Sequence, residues 1–267
     1  MKQTRTLIIG AAGRMGRALM RAALERPEIR ISGAVAAPGS AHLGRDAGEV
    51  AGLSALGVPV VDDLPGALAH CDVAMDFSRA SAAASHIAAC CAAGKPLLLG
   101  TTGLPGEMMH DLDRAARHIA LLVAPNTSLA MTLLTELVRQ CAEVLPSNYD
   151  IEIIEAHHRS KRDSPSGSAL SLGRAAAEGR ERLLEELAVY GRSGAEALRR
   201  EGEIGFASVR GGDVAGDHSV LFLGPGEQLR LEHRASDRAV FARGALDAAQ
   251  WLAGRAPGRY AMRDLLF

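Results

Sequence analysis

The sequence predicts an α/β protein in which a doubly wound parallel sheet is followed by a second, α+β unit. Three observations carry this. In the first half, short aliphatic runs alternate with Ala-rich helical stretches, and a glycine-spaced loop follows the first run. After about Thr127 the alternation gives way to one long helix and a group of β-type segments. Strands alternating with helices imply βαβ units and a parallel sheet.

Each element has its own reason. The runs Thr6–Ile9, Ile31–Ala36, Val58–Val61, Val73–Phe77, Pro96–Leu99 and Ile119–Val123 are short, largely apolar and without polar alternation, as strands covered on both faces are. Arg14–Arg26, stopped by Pro27, and Ser81–Ala93, stopped by Gly94, have helical spacing. Ser128–Leu145 reads as a long helix, with Leu129, Leu133, Leu137 and Val144 on one stripe and Pro146 beyond its end. A strand (Asp150–Glu155), a polar loop and a helix (Ser168–Glu178) follow. Phe206–Arg210, Ser219–Phe222 and Leu229–His233 lie between Gly-rich turns with no helix among them, so antiparallel pairing is expected. Ser236–Ala253 then reads as a helix with Ser236 as N-cap and Asp237 in its first turn.

With 267 residues, 48% hydrophobic and 23% charged, the composition is that of an ordinary globular chain. It is long enough to bury a core without disulfide or metal staples. A net charge of −1 and only nine aromatic residues argue against a nucleic-acid partner. No apolar run reaches the roughly 18–20 residues that span a membrane. The N-terminal stretch superficially resembles a signal peptide, but Arg14 and Arg17 interrupt it. Cys71, Cys90, Cys91 and Cys141 form neither a CxxC pair nor zinc-ligand spacing, which fits buried thiols in a reducing cytoplasm. Of the 30 cationic side chains only Lys2, Lys95 and Lys161 are lysine.

The first strand runs into Gly10-Ala11-Ala12-Gly13-Arg14-Met15-Gly16 and then a helix, a variant of the dinucleotide fingerprint. Glycines let the backbone approach a pyrophosphate, which the helix N-terminus stabilises through its N–H groups. The fingerprint calls for an acid at the end of the second strand, where this chain has Val35-Ala36-Ala37-Pro38. Without that acid, and with Arg14 available to a 2′-phosphate, NADPH is expected to be at least tolerated beside NADH. Gly100-Thr101-Thr102-Gly103 and Ala124-Pro125-Asn126-Thr127 leave strands at the same sheet edge and suit the nicotinamide half of a cofactor.

The most informative segment is Glu155–Ser168. It holds the only adjacent histidines, His157 and His158, and one of the three lysines. From His157 onward, Arg159, Lys161 and Arg162 against Asp163 leave a local formal charge of +2. Ser166 can cap the following helix, so that Gly167 and Ser168 present backbone N–H groups suited to a carboxylate. The segment therefore reads as a receptor for an anionic small molecule. Arg cannot release a proton, whereas a partly buried Lys can, so Lys161 points to proton transfer. A metal site is not expected: adjacent residues in extended chain face opposite sides, and no HxxxH or cysteine partner accompanies the pair.

At these residues the chain resembles the 4-hydroxy-tetrahydrodipicolinate reductase (dihydrodipicolinate reductase) family. The resemblance spans nearly the whole chain through GAAGRMGR (Gly10–Arg17), DAGE (Asp46–Glu49), DFS (Asp76–Ser78), GTTG (Gly100–Gly103), APN (Ala124–Asn126), EAHHRSKRDSPSGSA (Glu155–Ala169) and GFASVRGGDVAGDH (Gly205–His218). It implies a Rossmann-type dinucleotide-binding domain, residues 1–127 completed by 236–267. Into this is inserted an α+β domain, residues 128–235, with a largely antiparallel sheet that binds substrate and builds a homotetramer. It implies His157 as proton donor or acceptor, Lys161 as proton donor, and His158, Gly167 and Ser168 as holders of the substrate carboxylates. NADH or NADPH would lie on Gly10–Met15, Gly100–Thr102 and Ala124–Thr127. The family reduces a cyclic dicarboxylate of the diaminopimelate–lysine pathway, delivering hydride to ring carbon 4 with loss of the 4-hydroxyl as water. Three positions depart from the family pattern: Ala37 where an acid is frequent, and Thr127 and Ser168 where Phe and Thr are common. Two rival readings are another small-acid dehydrogenase on the same plan and an NAD(P)-binding redox sensor. The second needs no proton donor, so the HH…K loop counts against it.

Overall fold

In the computed structural model, which describes residues 3–267, burial of the short aliphatic runs produces two separate sheets. Chain order is β1 (Thr4–Ile9), α1 (Arg14–Ala23), β2 (Ile29–Val35), α2 (Ala47–Val50), β3 (Val60–Val61), α3 (Leu64–Leu68), β4 (Val73–Asp76), α4 (Ala80–Ala92), β5 (Leu97–Leu99), α5 (Met109–Ala116) and β6 (Ala120–Val123). Then come α6 (Leu129–Val144), β7 (Asp150–His157), α7 (Gly167–Gly179), α8 (Leu184–Leu187), β8 (Ala188–Tyr190), β9 (Ile204–Arg210), β10 (Asp217–Gly224) and β11 (Glu227–Arg234). The described chain ends with α9 (Ala239–Leu252), β12 (Gly258–Tyr260) and a 3-10 turn. Two units result: one runs to Ser128 and resumes at Ala239–Phe267, and the other is Leu129–Arg238.

The first unit holds a seven-stranded sheet in the order β3-β2-β1-β4-β5-β6-β12, and every ladder in it is parallel. All residues of β4 and β5 are buried, Asp76 among them, so these largely apolar runs do report a sheet covered on both faces. Leu7, Ile9, Leu97, Leu99 and Leu121 from the strands pack with Leu68, Ile87, Cys90 and Leu112 from the helices. Strand order reverses at β1/β4, the place where open α/β sheets bind ligands. The edge strand β12 was not foreseen, since three residues carry no periodic signal. Asp46 starts α2 by accepting from the N–H groups of Gly48, Glu49, Leu56 and Val58.

The second unit has a five-stranded sheet, β11-β10-β7-β9-β8. β10 pairs antiparallel with both β11 and β7, while β9 pairs parallel with β7 and β8. The sheet is thus mixed, and the expectation that the Phe206 and Ser219 segments pair with each other fails. They run in opposite directions but flank β7, whose two edges are both hydrogen-bonded. Residues 191–203 are long enough to return the chain from β8 to the starting edge without a helix.

Two helix expectations are also corrected. On α6 the buried apolar residues are Met131, Leu134, Val138 and Ala142, whereas Leu133, Leu137 and Val144 are 43%, 38% and 75% exposed. Both stripes are apolar, and packing decides between them. A Cβ at Gly179 of α7 would lie 2.3 Å from the Arg139 carbonyl oxygen and 2.8 Å from Ala142 Cβ. This close approach selects the Ala142 side. The helix expected from Ser236 begins at Ala239, because β11 continues to Arg234 and residues 235–238 turn the chain.

Candidate active site

One edge of the first unit's sheet is built by five strand ends. The Gly10 and Ala11 N–H groups donate to the Val35 carbonyl, Phe77 N–H to Ile9, Gly100 N–H to Asp76 and Ala124 N–H to Leu99. These bonds stitch the loops after β1, β2, β4, β5 and β6 along one edge. Gly10 has φ +85°, and a Cβ there would meet the Phe77 carbonyl oxygen at 2.9 Å; at Gly16 it would lie 2.5 Å from the Gly10 oxygen. Gly13 is the N-cap of α1, with no side chain to cap it and no acidic residue in the first turn. A helix N-terminus left bare behind a backbone cradle that side chains would fill fits a dinucleotide pyrophosphate. Arg17 Nε donates to the Ala12 carbonyl at 3.1 Å and steadies the loop, while Arg14 is exposed.

The other expected cofactor residues divide by what their side chains do. Thr101 is 4% exposed and its hydroxyl donates to the Asp76 carbonyl at 3.4 Å. Thr127, 2% exposed, commits its hydroxyl to the Phe241 carbonyl of α9 at 2.6 Å. It holds the returning helix to the Ala124–Thr127 loop, so its part at the edge is structural through the side chain. Asn126 Oδ1 accepts the Ser128 N–H at 2.9 Å, shaping that loop. The Phe77 ring occupies the space a Cβ at Gly100 would need, 2.1 Å from its Cε1. Behind it the fully buried Asp76 accepts the Ser78 N–H and bonds His86 Nδ1, each at 2.8 Å. Phe77 and Asp76 were visible only as the DFS motif.

In the second unit the histidine–lysine loop is anchored by one buried carboxylate. Glu155 is 1% exposed. It accepts His157 Nδ1 at 2.6 Å, Ser166 N–H at 3.2 Å and both Arg210 Nη atoms at 2.7 and 2.8 Å. Burial pushes this carboxyl up, but the hydrogen bonds from Arg210, Ser208 and His157 outweigh it and bring it to about 2. His157, 8% exposed, falls below its ordinary 6.5 because burial, aided by the Lys161 and Arg210 charges, outweighs the bond to Glu155.

The remaining expected residues sit around that anchor. Lys161 Nζ pairs with Asp163 at 2.8 Å and its side chain is 20% exposed. His158 Nδ1 bonds Ser160 Oγ at 2.8 Å. Ser166 caps α7, its Oγ accepting the Ala169 N–H at 3.1 Å, so the Gly167 and Ser168 amides lie in that helix's first turn. Behind the cap, His218 Nε2 lies 3.0 Å from Ser166 Oγ, and its ring stands edge-on to His157 at 5.1 Å. Ser166 was legible as a helix cap, but Glu155, Arg210 and His218 had no role in the sequence reading, because contacts across 52 to 55 residues of chain are what unite them. Among the described residues no group of three His, Cys, Asp or Glu is placed to hold a metal.

The parallel sheet ordered about a β1/β4 reversal, with its glycine cradle, defines a Rossmann-type dinucleotide-binding protein. Models of dihydrodipicolinate reductase match the chain in both halves, the N-terminal one over residues 4–127 and the C-terminal one over residues 130–266. The chain belongs to the dihydrodipicolinate reductase family. Two relatives named 4-hydroxy-tetrahydrodipicolinate reductase illustrate the distance. The protein of Alkalilimnicola ehrlichii is 49% identical over 98% of both chains, and that of Halorhodospira halophila 48% over 97% of both. A solved structure of dipicolinate-bound dihydrodipicolinate reductase from Paenisporosarcina sp. TG-14 shares the fold, with TM-score 0.77, 22% identity and 97% of each chain covered. An amine dehydrogenase from Mycobacterium smegmatis aligns at TM-score 0.63 with 14% identity, over 97% of this chain and 95% of its own.

Proposed function

We propose that this chain is the NAD(P)H-dependent 4-hydroxy-tetrahydrodipicolinate reductase of diaminopimelate–lysine biosynthesis, with residues 157–168 as its substrate-binding and proton-transfer segment. Full-length relatives of that name support the reaction. The single structural observation that supports the site is the convergence of His157 and the α7 cap on Glu155, with Lys161 linked to the same carboxylate through Asp163 and Arg210.

NADH or NADPH would be held by Gly10, Ala11, Ala12, Gly13, Arg14 and Met15, by Gly100–Thr102 and by Ala124–Thr127. When bound, it supplies a hydride. Overall, one hydride and one proton enter, and the 4-hydroxyl departs as water. The protein's part is to bind the dianionic substrate and manage the proton. His158 and the Gly167 and Ser168 amides take the carboxylates, where the helix N-terminus favours negative charge. Lys161 donates a proton against the negative charge that hydride addition creates, and the paired Asp163 keeps the ammonium in place. His157 is a proton donor or acceptor beside that lysine: it enters as a neutral imidazole whose Nε2 can take a proton from solvent and pass it on to reprotonate Lys161.

A homotetramer is part of the proposal. Ile154 and Val209, on the sheet face away from the Ile153, Phe206 and Val220 core, are 40% and 54% exposed, an apolar surface suited to a second copy. No described helix is long and apolar enough to cross a membrane. All four cysteines are free thiols, which supports placement in the cytoplasm. With Ala37 in place of an acid, KM for NADPH should not exceed that for NADH by more than about tenfold; a much larger ratio would remove the NADPH reading. The site is tested by Lys161→Ala, which should lower kcat on the order of a hundredfold or more while cofactor affinity is kept. Unchanged turnover would overturn the proton-donor role.

A further inference from the structure

We infer that Glu155, clamped by Arg210, is a positioning residue that sets the tautomer of His157 and fixes the anion-binding end of α7 beside it. The inference rests on the reading of His157 as a group that acts on substrate.

Glu155 spends both oxygens on groups from three segments. Its Oε2 takes His157 Nδ1 at the end of β7, and its Oε1 takes the Ser166 N–H at the α7 cap. The Arg210 guanidinium on β9 spans both oxygens. Arg210 then reaches on: Nη2 donates to the Asp163 carbonyl at 2.7 Å, and Asp163 holds Lys161. One buried carboxylate therefore ties the imidazole, the ammonium and the helix N-terminus into a single frame.

The tautomer follows from chemistry. An ionised carboxylate only accepts hydrogen bonds, so Nδ1 carries the hydrogen. A neutral ring then has its lone pair on Nε2, the atom that a Cβ at Gly216 would approach to 3.0 Å. A bidentate arginine is the partner that keeps such a carboxylate ionised and oriented. The charged and titratable groups facing His157 are Glu155 on its own strand, Arg210 on β9, His218 on β10 and Lys161 in the loop. Glu155 is the only anion of the four. A plain buried ion pair would need neither the His157 nor the Ser166 bond, and this arrangement of an orienting carboxylate behind a working imidazole recurs wherever a base must hold one tautomer.

The test uses full-length protein and three variants. In the wild type, nitrogen-15 NMR of the imidazole should show the Nδ1–H tautomer for His157. Glu155→Gln removes the obligate acceptor and the one facing anion. It should mix the tautomers, move the His157 limb of the kcat/KM pH profile to lower pH, and lower kcat on the order of a hundredfold with KM for the cofactor unchanged. Arg210→Lys keeps the charge but loses the two-pronged grip, and should give the same changes in smaller measure, which preserves the test if Glu155→Gln does not fold. A folded Glu155→Gln protein with the wild-type tautomer, pH limb and kcat would overturn the inference, as would an Arg210→Lys protein with all three unchanged. His157→Ala separates the two failures: wild-type turnover there would sink the reading of His157 itself, whereas an inactive His157→Ala beside an active Glu155→Gln sinks only the positioning role.

Discussion

Lys161 and His157 differ in what their surroundings ask of them. Lys161 is partly exposed and leans on a largely exposed Asp163, so its ammonium can turn toward a ligand. His157 is enclosed and held neutral. His218 behind it is pushed down to about 4, chiefly by burial. A histidine with a lowered folded-state value binds its proton later in the native than in the unfolded chain. Stability from His218 is therefore complete above 6.5 and lost as pH falls from there toward 4. The loss should approach about 3 kcal/mol by pH 4. Denaturant midpoints measured between pH 7.5 and 4.5 should fall, and His218→Asn should flatten that fall; an unaltered slope would show the proton is taken up elsewhere. At the glycine cradle, Gly16→Ala places a methyl against two backbone oxygens, 2.5 and 2.6 Å away. Cofactor affinity by titration should weaken on the order of a hundredfold, with about 1–3 kcal/mol of stability lost. Near-native affinity would mean the loop has room that its geometry denies.

Among the elements, legibility tracks how local the cause is. Parallel strands β1, β2 and β4–β6 stood out because covered strands read as short, largely apolar runs. Capping was legible at one helix and not at the other: Ser166 does cap α7, whereas Ser236 lies in the turn before α9. The pairing of β9 with β7 was not legible, because α7, α8 and β8 lie between them in the chain. Nor was the buried face of α6, where two apolar stripes compete and a glycine of α7 chooses between them. Helix α6 supplies a direct check. Val138→Ala, at a fully buried site, should cost about 2 kcal/mol in chemical denaturation. Leu133→Ala, on the stripe first expected to be buried, should cost under about 1 kcal/mol. The reverse ranking would restore the original stripe.

For the whole molecule, the net charge of −1 averages over a +2 segment that carries the proposed chemistry. The residues of that segment were legible as types and spacing: a rare lysine, paired histidines and a cappable serine. Their anchoring was not, because Glu155 meets Arg210 across 55 residues of chain and only the strand register unites them. At this scale the proposed tetramer is checked by sedimentation, which should give four times the chain mass. Ile154→Arg with Val209→Arg should yield smaller species, and a wild-type monomer would contradict the assembly. The central claim is tested most directly by following NADH and NADPH oxidation with freshly generated 4-hydroxy-tetrahydrodipicolinate. The wild type should consume one reduced cofactor per substrate, and Lys161→Ala should bind cofactor normally yet turn over at least about a hundredfold more slowly. Failure of the wild type to oxidise either cofactor with that substrate would contradict the account.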